Sequence, residues 1–108
     1  MRPFIAAGVL LACGAASAQQ THPCAAPAIK QARALLLFHH GVDVNLSVDD
    51  TVKMMPPVRN PADPQQLLDV LEVNGHVYRT RYRMRLIYKR PVSNCSLMGQ
   101  EVLESSSR

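Results

Sequence analysis

An alternating stretch in the second half of the chain constrains the fold more than any other feature. Between residues 78 and 89, the even-numbered positions hold mainly apolar or aromatic side chains, and most of the odd-numbered positions hold cations. The first set is Tyr78, Thr80, Tyr82, Met84, Leu86 and Tyr88. The second set includes Arg79, Arg81, Arg83, Arg85 and Lys89. Because successive side chains of a β-strand point to opposite sides of the sheet, the stretch predicts a strand with one buried face and one basic face.

The dipeptide Asn74-Gly75 precedes this strand and follows a second apolar segment, residues 67–73. Asn-Gly is the preferred sequence of a two-residue type I′ turn, because both central residues of that turn need positive φ. The sequence therefore predicts a β-hairpin that turns at Asn74-Gly75. In that register Glu72 would lie diagonally next to Arg79.

Residues 25–40 predict the one substantial helix. Alanine and leucine dominate the segment, apolar residues recur every three or four positions, and Pro27 stands in the first turn, where proline is tolerated. Gly41 follows and suits a helix C-terminal cap.

Three further segments have strand character: residues 42–48, a short extended piece at 51–55, and residues 95–104. Residues 56–66 contain four of the eight prolines, and proline cannot donate a ladder hydrogen bond, so this segment is predicted to be a loop. The predicted fold class is α+β, with one N-terminal helix packed across an antiparallel sheet of three to five strands.

The first 18 residues are typical of a secretory signal peptide. Arg2 is followed by a short apolar run and by Ala16-Ser17-Ala18, a small-x-small cleavage site. The alternative is a lipobox ending at Cys13, which would make the protein an outer-membrane lipoprotein. Both interpretations place the mature protein outside the cytoplasm, and cleavage after Ala18 predicts a location in the periplasm. The apolar run is too short for a permanent membrane span, so residues 19–108 are expected to form a single small α+β domain.

Removal of the signal peptide leaves two cysteines, Cys24 and Cys95. In an oxidising compartment a pair of this kind most simply forms one disulfide. A redox or metal pair is the alternative, but neither a Cys-x-x-Cys spacing nor an adjacent histidine supports it. We expect no metal and no cofactor.

The sequence contains no Gly-x-Ser-x-Gly, His-Glu-x-x-His or glycine-rich phosphate loop, and it predicts no catalytic residues. His39 and His40 are adjacent, so on a helix their side chains diverge by about 100° and are poorly placed for one metal. His76 is interpreted as a solvated turn residue, and Asp49-Asp50 as a turn.

The candidate binding residues are Arg79, Arg81, Arg83 and Arg85. The formal net charge of the chain is only +4, so the clustering of these arginines is the informative part. They form either a solvated sheet face balanced by Glu72, Glu101 and Glu104, or a docking surface for an acidic partner, since arginine offers bidentate contacts to carboxylate and phosphate. Export argues against a nucleic-acid partner.

Residues 52–61, 68–75, 82–88 and 95–104 resemble a group of small periplasmic proteins of Gram-negative bacteria, some of which are accessory to type VI secretion systems. The resemblance covers residues 24–104. It implies a non-enzymatic envelope protein that supports a secretion machine through protein contacts, and it transfers no site residues.

Three hypotheses about function remain open. The first is a protein-interaction or accessory protein that uses the arginine face or an exposed sheet edge, with an edge-strand oligomer as one form. The second is an inhibitor or immunity protein that blocks a cell-wall hydrolase with residues 56–66. The third is a binder of anionic envelope lipid or glycan.

Overall fold

A computed structural model of the protein describes residues 22–41 and 45–105. One helix, α1 (Ala25–His40), packs against an antiparallel five-stranded sheet. Its strands are β1 (Leu46–Val48), β2 (Lys53–Asn60), β3 (Asp63–Val77), β4 (Thr80–Lys89) and β5 (Leu97–Ser105). β4 lies between β3 and β5, while β1 and β2 pair one after the other along the opposite edge of β3. The predicted α+β class is confirmed; the predicted signal peptide lies outside the described residues.

The helix has its predicted bounds. Gly41 ends it with φ of 90°, and the Gly41 backbone N–H donates to the carbonyl oxygen of Leu37 over 2.8 Å. The helix side chains that face the sheet are small near the start of the helix and larger near its end: Ala25, Ala28, Ala32, Leu35 and Leu36. Small residues on this stripe let the helix axis approach the strands closely.

The hairpin turn is not where the Asn-Gly dipeptide predicts it. β3 runs straight through Asn74-Gly75, and the chain reverses at Tyr78-Arg79, so that Val77 pairs with Thr80. Tyr78 adopts φ of 56°, and its backbone N–H donates to the Asn45 carbonyl over 3.0 Å.

Gly75 is required for a different reason. A Cβ at this position would lie 2.6 Å from Leu36 Cδ1 and 3.2 Å from the backbone oxygen of Ser47. The glycine therefore lets the helix and β1 approach β3 closely, and no positive φ is needed there. The register of β3 and β4 therefore differs from the predicted one. Glu72 pairs with Arg85 and does not lie diagonally next to Arg79.

The predicted proline loop is also wrong. β2 continues through Pro56-Pro57, and a register shift between Met55 and Val58 accommodates the two prolines. Proline is tolerated in an edge strand at such an irregularity because no neighbouring strand needs its missing N–H. Residues 56–66 therefore belong to a β-hairpin that turns at residues 61–62.

Two further strands, β1 and β5, also have bounds that differ from prediction. β1 is confined to Leu46–Val48, while residues 42–44 lie outside the described part. β5 begins two residues after Cys95.

The predicted disulfide is confirmed. Cys24, immediately before α1, is bonded to Cys95 across 71 residues of sequence, with Cα atoms 5.5 Å apart. It joins the start of the helix to the segment that leads into β5. A disulfide is compatible with a location outside the cytoplasm.

The alternation of β4 places its apolar set beneath the helix. Tyr82, Met84, Leu86 and Tyr88 are all buried there, together with Leu71 and Val73 of β3 and the helix stripe. Within the described residues, no helix is long and apolar enough to cross a membrane.

Candidate interaction surface

The sheet face opposite α1, called the open face here, carries the cations of β4. Strand register places one charged residue from each of four strands in a line across this face: Lys53, Glu72, Arg85 and Glu101. We call this line the charge row. Its signs alternate from β2 to β5.

Arg85 is balanced within the charge row. Its Nε donates to Glu72 Oε2 over 3.1 Å, and its Nη1 lies 3.6 Å from Glu101 Oε1. The Glu72 side chain is only 7% exposed, although no described helix covers this face. The two flanking strands and the arginine stems bury it. Arg85 is therefore balanced by Glu72 and Glu101, as the sequence predicted, whereas Glu104 pairs with Tyr82 on the helix side and does not face the arginines.

The other three arginines are in a different situation. Arg83 reaches Glu72 only at 3.9 Å, and its Nε is buried with no hydrogen-bond partner among the described residues. Arg81 is exposed and makes no ion pair with any described residue; it stands opposite His76. Arg79 lies exposed in the hairpin turn. We call Arg79, Arg81, Arg83 and His76 the basic corner.

His76 was misplaced by the sequence interpretation. With the turn at Tyr78-Arg79, His76 lies within β3, between Ser47 of β1 and Arg81 of β4. A half-buried imidazole thus adds a polar group to the basic corner. Only the register reveals this, since His76 and Arg81 are separated by a turn whose position the sequence did not predict.

An apolar patch lies on the other side of the charge row. It consists of Met55, Leu68, Val70 and Ile87, in which Val70 stands between Met55 and Ile87 in register. Leu68 and Val70 are each 6% exposed. The open face is therefore apolar near one end, charge-balanced in its middle and cationic near the β3–β4 turn.

A partly buried polar cluster joins the segment before α1 to the sheet. His22 Nε2 donates to Asp69 Oδ2 over 2.9 Å, and Arg90 Nε donates to Asp69 Oδ1 over 2.6 Å. Burial acts to raise the pKa of Asp69, but the hydrogen bonds and charges of His22 and Arg90 outweigh it and hold that pKa below its usual value. His22 and Arg90 are separated from Asp69 by 47 and 21 positions in the sequence, so no local sequence signal reveals this cluster.

The cluster does not have the arrangement of a catalytic base. The Cys24 backbone N–H donates to His22 Nδ1 over 2.9 Å, so both ring nitrogens of His22 are engaged. A cavity of about 120 Å³ adjoins the cluster and is otherwise lined largely by Met54, Met55 and Pro57. The geometry fixes the segment before α1 against β3, and neither ring nitrogen of His22 is left without a hydrogen-bond partner.

The remaining candidate side chains do not converge. His39 is exposed, whereas the His40 ring packs edge-on against Tyr82 with centroids 5.1 Å apart. Burial, with a contribution from the Glu104 charge, raises the pKa of Tyr82. Among the described residues, no group of three or more His, Cys, Asp or Glu side chains could hold a metal ion.

The β2–β3 hairpin extends beyond the rest of the sheet. β4 ends opposite Leu68, which also pairs with Val58, so among the described residues 59–67 pair only with each other. We call residues 58–67 the arm. Hydrogen bonds fix the exposed tip: Arg59 Nη1 donates to the Pro64 carbonyl over 2.7 Å, and the Ala62 N–H donates to Asn60 Oδ1 over 2.9 Å. Asn60 Nδ2 also donates to Gln66 Oε1 over 2.8 Å.

Comparison with known proteins adds no family. No family model matches the chain, and neither a curated protein nor a solved structure shows significant similarity to it.

Proposed function

We propose that this protein is a non-enzymatic periplasmic interaction protein that binds an acidic partner protein through the basic corner of its open face. The resemblance of residues 24–104 to periplasmic accessory proteins suggests that the partner belongs to an envelope-spanning machine such as a type VI secretion system. The observation that carries the proposal is that the four candidate arginines of residues 79–85 differ in their contacts. Arg85 is satisfied internally, while Arg79 and Arg81 have no described counter-charge.

The charge on the open face favours an acidic partner over a second copy of the chain. The face presents Lys53, Arg81, Arg83, Arg85 and Lys89 against the carboxylates Glu72 and Glu101. Two such faces would repel each other, whereas an acidic surface would complement them.

The buried, unpartnered Nε of Arg83 supports the same interpretation. An unsatisfied buried donor costs free energy. The Arg83 side chain is 42% exposed, so it can turn to bring this donor onto a partner's carboxylate and remove that cost. Arginine also binds carboxylate in a bidentate manner, which gives a docking contact orientation as well as charge.

The test is affinity capture from periplasmic extract with Arg81→Glu. This residue is exposed and has no ion pair to any described residue, so the variant should fold like the wild type. Arg33→Glu, at an exposed helix position, is the matched control because it changes the net charge by the same amount. We expect the specific partner to be lost with Arg81→Glu and retained with Arg33→Glu.

The competing occupant of the basic corner is an anionic lipid or glycan. Sedimentation with phosphatidylglycerol vesicles and with purified anionic glycan tests it directly. Binding there that Arg81→Glu abolishes, together with an unchanged set of captured proteins, would replace the protein-partner proposal by the lipid or glycan one.

A second candidate function rests on the arm. An exposed β-hairpin whose tip is fixed by its own hydrogen bonds, and which contains Pro61 and Pro64, loses little conformational freedom on binding. Such a projection suits an inhibitor or immunity protein that enters the cleft of a cell-wall hydrolase. The half-exposed Val58 would be its apolar contact.

This candidate predicts that the protein slows the hydrolysis of purified peptidoglycan by periplasmic extract, followed as loss of turbidity. Val58→Asp should abolish the inhibition, and Arg81→Glu should leave it unchanged. Unaltered turbidity loss in the presence of the wild-type protein would eliminate the inhibitor hypothesis.

A further inference from the structure

The two outer edges of the sheet differ in their capacity to accept another strand. The edge formed by β2 contains Pro56-Pro57 and a register shift, and it carries Lys53 and Arg59. Prolines, irregularities and cations are the usual protections of an exposed edge. β5 pairs with β4 on one side, and no described strand pairs with its other side. Its sequence, LMGQEVLES, contains no proline and no cation, and its one register shift against β4 lies near its start, between Leu97 and Gly99.

The charge row gives the β5 edge a preference in charge. From β2 to β5 the row has the signs plus, minus, plus and minus, and its last member is Glu101 on the outermost strand. A strand added beside β5 would bring one side chain directly opposite Glu101, at about 4.5–5.5 Å between Cβ atoms. A lysine or arginine at that position would continue the alternation.

We propose that the outer edge of β5 binds an extended segment of a partner protein by strand addition, with a cation of that segment facing Glu101. Alternate residues of an edge strand present their N–H and C=O groups outward, and these supply the main-chain hydrogen bonds of such a complex. The partly exposed Leu97 and Leu103 supply apolar contacts on the two faces of the added strand. The site borders the basic corner, because Leu103 pairs with Arg83, but its own contacts are main-chain groups and Glu101.

A second copy of the chain fits this edge less well. Antiparallel pairing of β5 with itself, centred on Glu101, would oppose two carboxylates, which is destabilising. The β2 edge of another copy offers Lys53, but Pro56-Pro57 interrupts its hydrogen-bonding groups three residues later. The edge therefore fits a segment with alternating apolar and polar residues and a central cation, supplied by a different protein.

The test uses the wild-type protein and two synthetic peptides. Each is a blocked nine-residue peptide of alternating threonine and valine, one with lysine at its centre and the other with glutamate. Binding is measured by NMR titration of the protein amides. We expect perturbations along residues 97–105, and about fivefold tighter binding of the lysine peptide, in line with the upper range for a cross-strand charge pair.

Two variants make the charge contact specific. Glu101→Lys should reverse the preference, so that the glutamate peptide binds more tightly. Glu104→Lys, on the same strand but facing the helix side, changes the charge equally and should leave the preference for lysine in place.

Three results would overturn the proposal. They are perturbations confined to β2, equal affinity for the two peptides, or concentration-dependent dimerisation through β5 in analytical ultracentrifugation. The last would assign the edge to a second copy. Arg81 pairs with Ser105, the last residue of β5, whereas the proposed charge contact is at Glu101, four residues away. Because the lysine preference is tested with Glu101→Lys and the basic corner with Arg81→Glu, failure of this proposal and failure of the basic corner as a docking site are separately measurable.

Discussion

The two faces of the sheet are composed of the same strands but differ in how their side chains are satisfied. Under the helix, Leu36, Leu71, Met84 and Leu86 are fully buried and depend on close packing. On the open face, three members of the charge row, Glu72, Arg85 and Glu101, form ion pairs between neighbouring strands. The even-numbered residues of β4 face the helix, and its odd-numbered residues lie on the open face.

The comparison of the two faces shows that alternation predicts which side chains share a face. It does not predict which of them form ion pairs or hydrogen bonds with neighbouring strands. Arg81 and Arg85 have the same parity and the same residue type, yet Arg85 contacts two carboxylates and Arg81 contacts none that is described. The difference arises from what β3 and β5 place opposite each arginine. Neighbouring strands thus decide which cations remain available for a partner.

The largest expected effect on stability comes from the disulfide that attaches the start of the helix to the segment before β5. Replacing both Cys24 and Cys95 by alanine should lower the free energy of unfolding by about 4 kcal/mol, because the disulfide closes a loop of 71 residues. Urea denaturation measures the change, and hydrogen exchange should show the helix amides losing protection before those of β3 and β4. Reduction of the wild type with dithiothreitol should reproduce the effect; an unchanged midpoint would contradict it.

A glycine on each face sharpens the contrast in packing. Gly75→Ala should destabilise the protein by about 1–3 kcal/mol, since the new Cβ would meet Leu36 and Met84 at 2.6 and 3.0 Å. Gly99→Ala on the open face is the control, because its Cβ would come no closer than 3.6 Å to Ile87 Cδ1. Its expected change is within about 0.5 kcal/mol. Equal midpoints for the two variants in urea would refute the close-approach role of Gly75.

The charge row can be tested with two carboxylates of different burial. Glu72→Gln should cost about 1 kcal/mol, since it weakens a buried, charge-assisted hydrogen bond to Arg85. Glu101→Gln should cost less than about 0.5 kcal/mol, because its side chain is 48% exposed. Both values follow from urea titrations at pH 7. A larger loss at Glu101 would show that the edge of the row, and not its centre, supports the open face.

Asp69 lies at the rim of the helix face and should make stability depend on acid pH. Its pKa is lowered in the folded protein by His22 and Arg90 against the effect of burial. Its contribution is therefore fully present above the unfolded pKa of about 3.9 and is lost as the pH falls through the lower folded value. Urea midpoints between pH 6 and pH 2.5 should fall further for the wild type than for Asp69→Asn. Asp49→Asn, at an exposed position, should behave like the wild type.

The smallest expected effect is at the turn that joins the two strands. Tyr78 has φ of 56°, a conformation that costs an ordinary residue about 1–2 kcal/mol. Tyr78→Gly relieves that cost but adds chain entropy to the unfolded state, so a net stabilisation of about 0.5–1 kcal/mol is expected. Arg79→Gly should give no gain. Thermal unfolding of both variants decides, and a loss of stability in Tyr78→Gly would indicate that its exposed ring has a packing role.

Local patterns in the sequence were sufficient for the helix, for the strand at residues 80–89 and for the pairing of Cys24 with Cys95. Helix propensity, period-2 alternation and the number of cysteines are properties of short segments or of composition. They do not depend on how distant segments pack, so predictions based on them hold in the folded protein.

Tertiary structure decided the rest. Gly75 was interpreted as a turn residue because glycine permits positive φ, yet it is needed because Leu36 packs directly above it. The prolines at 56–57 were interpreted as a loop, yet an edge strand accommodates them at a register shift. The position of the turn then set the register, and the register determined which arginines meet Glu72. Sequence alone therefore identified the basic face, and only the packing of neighbouring strands divided it into a balanced row and an available corner.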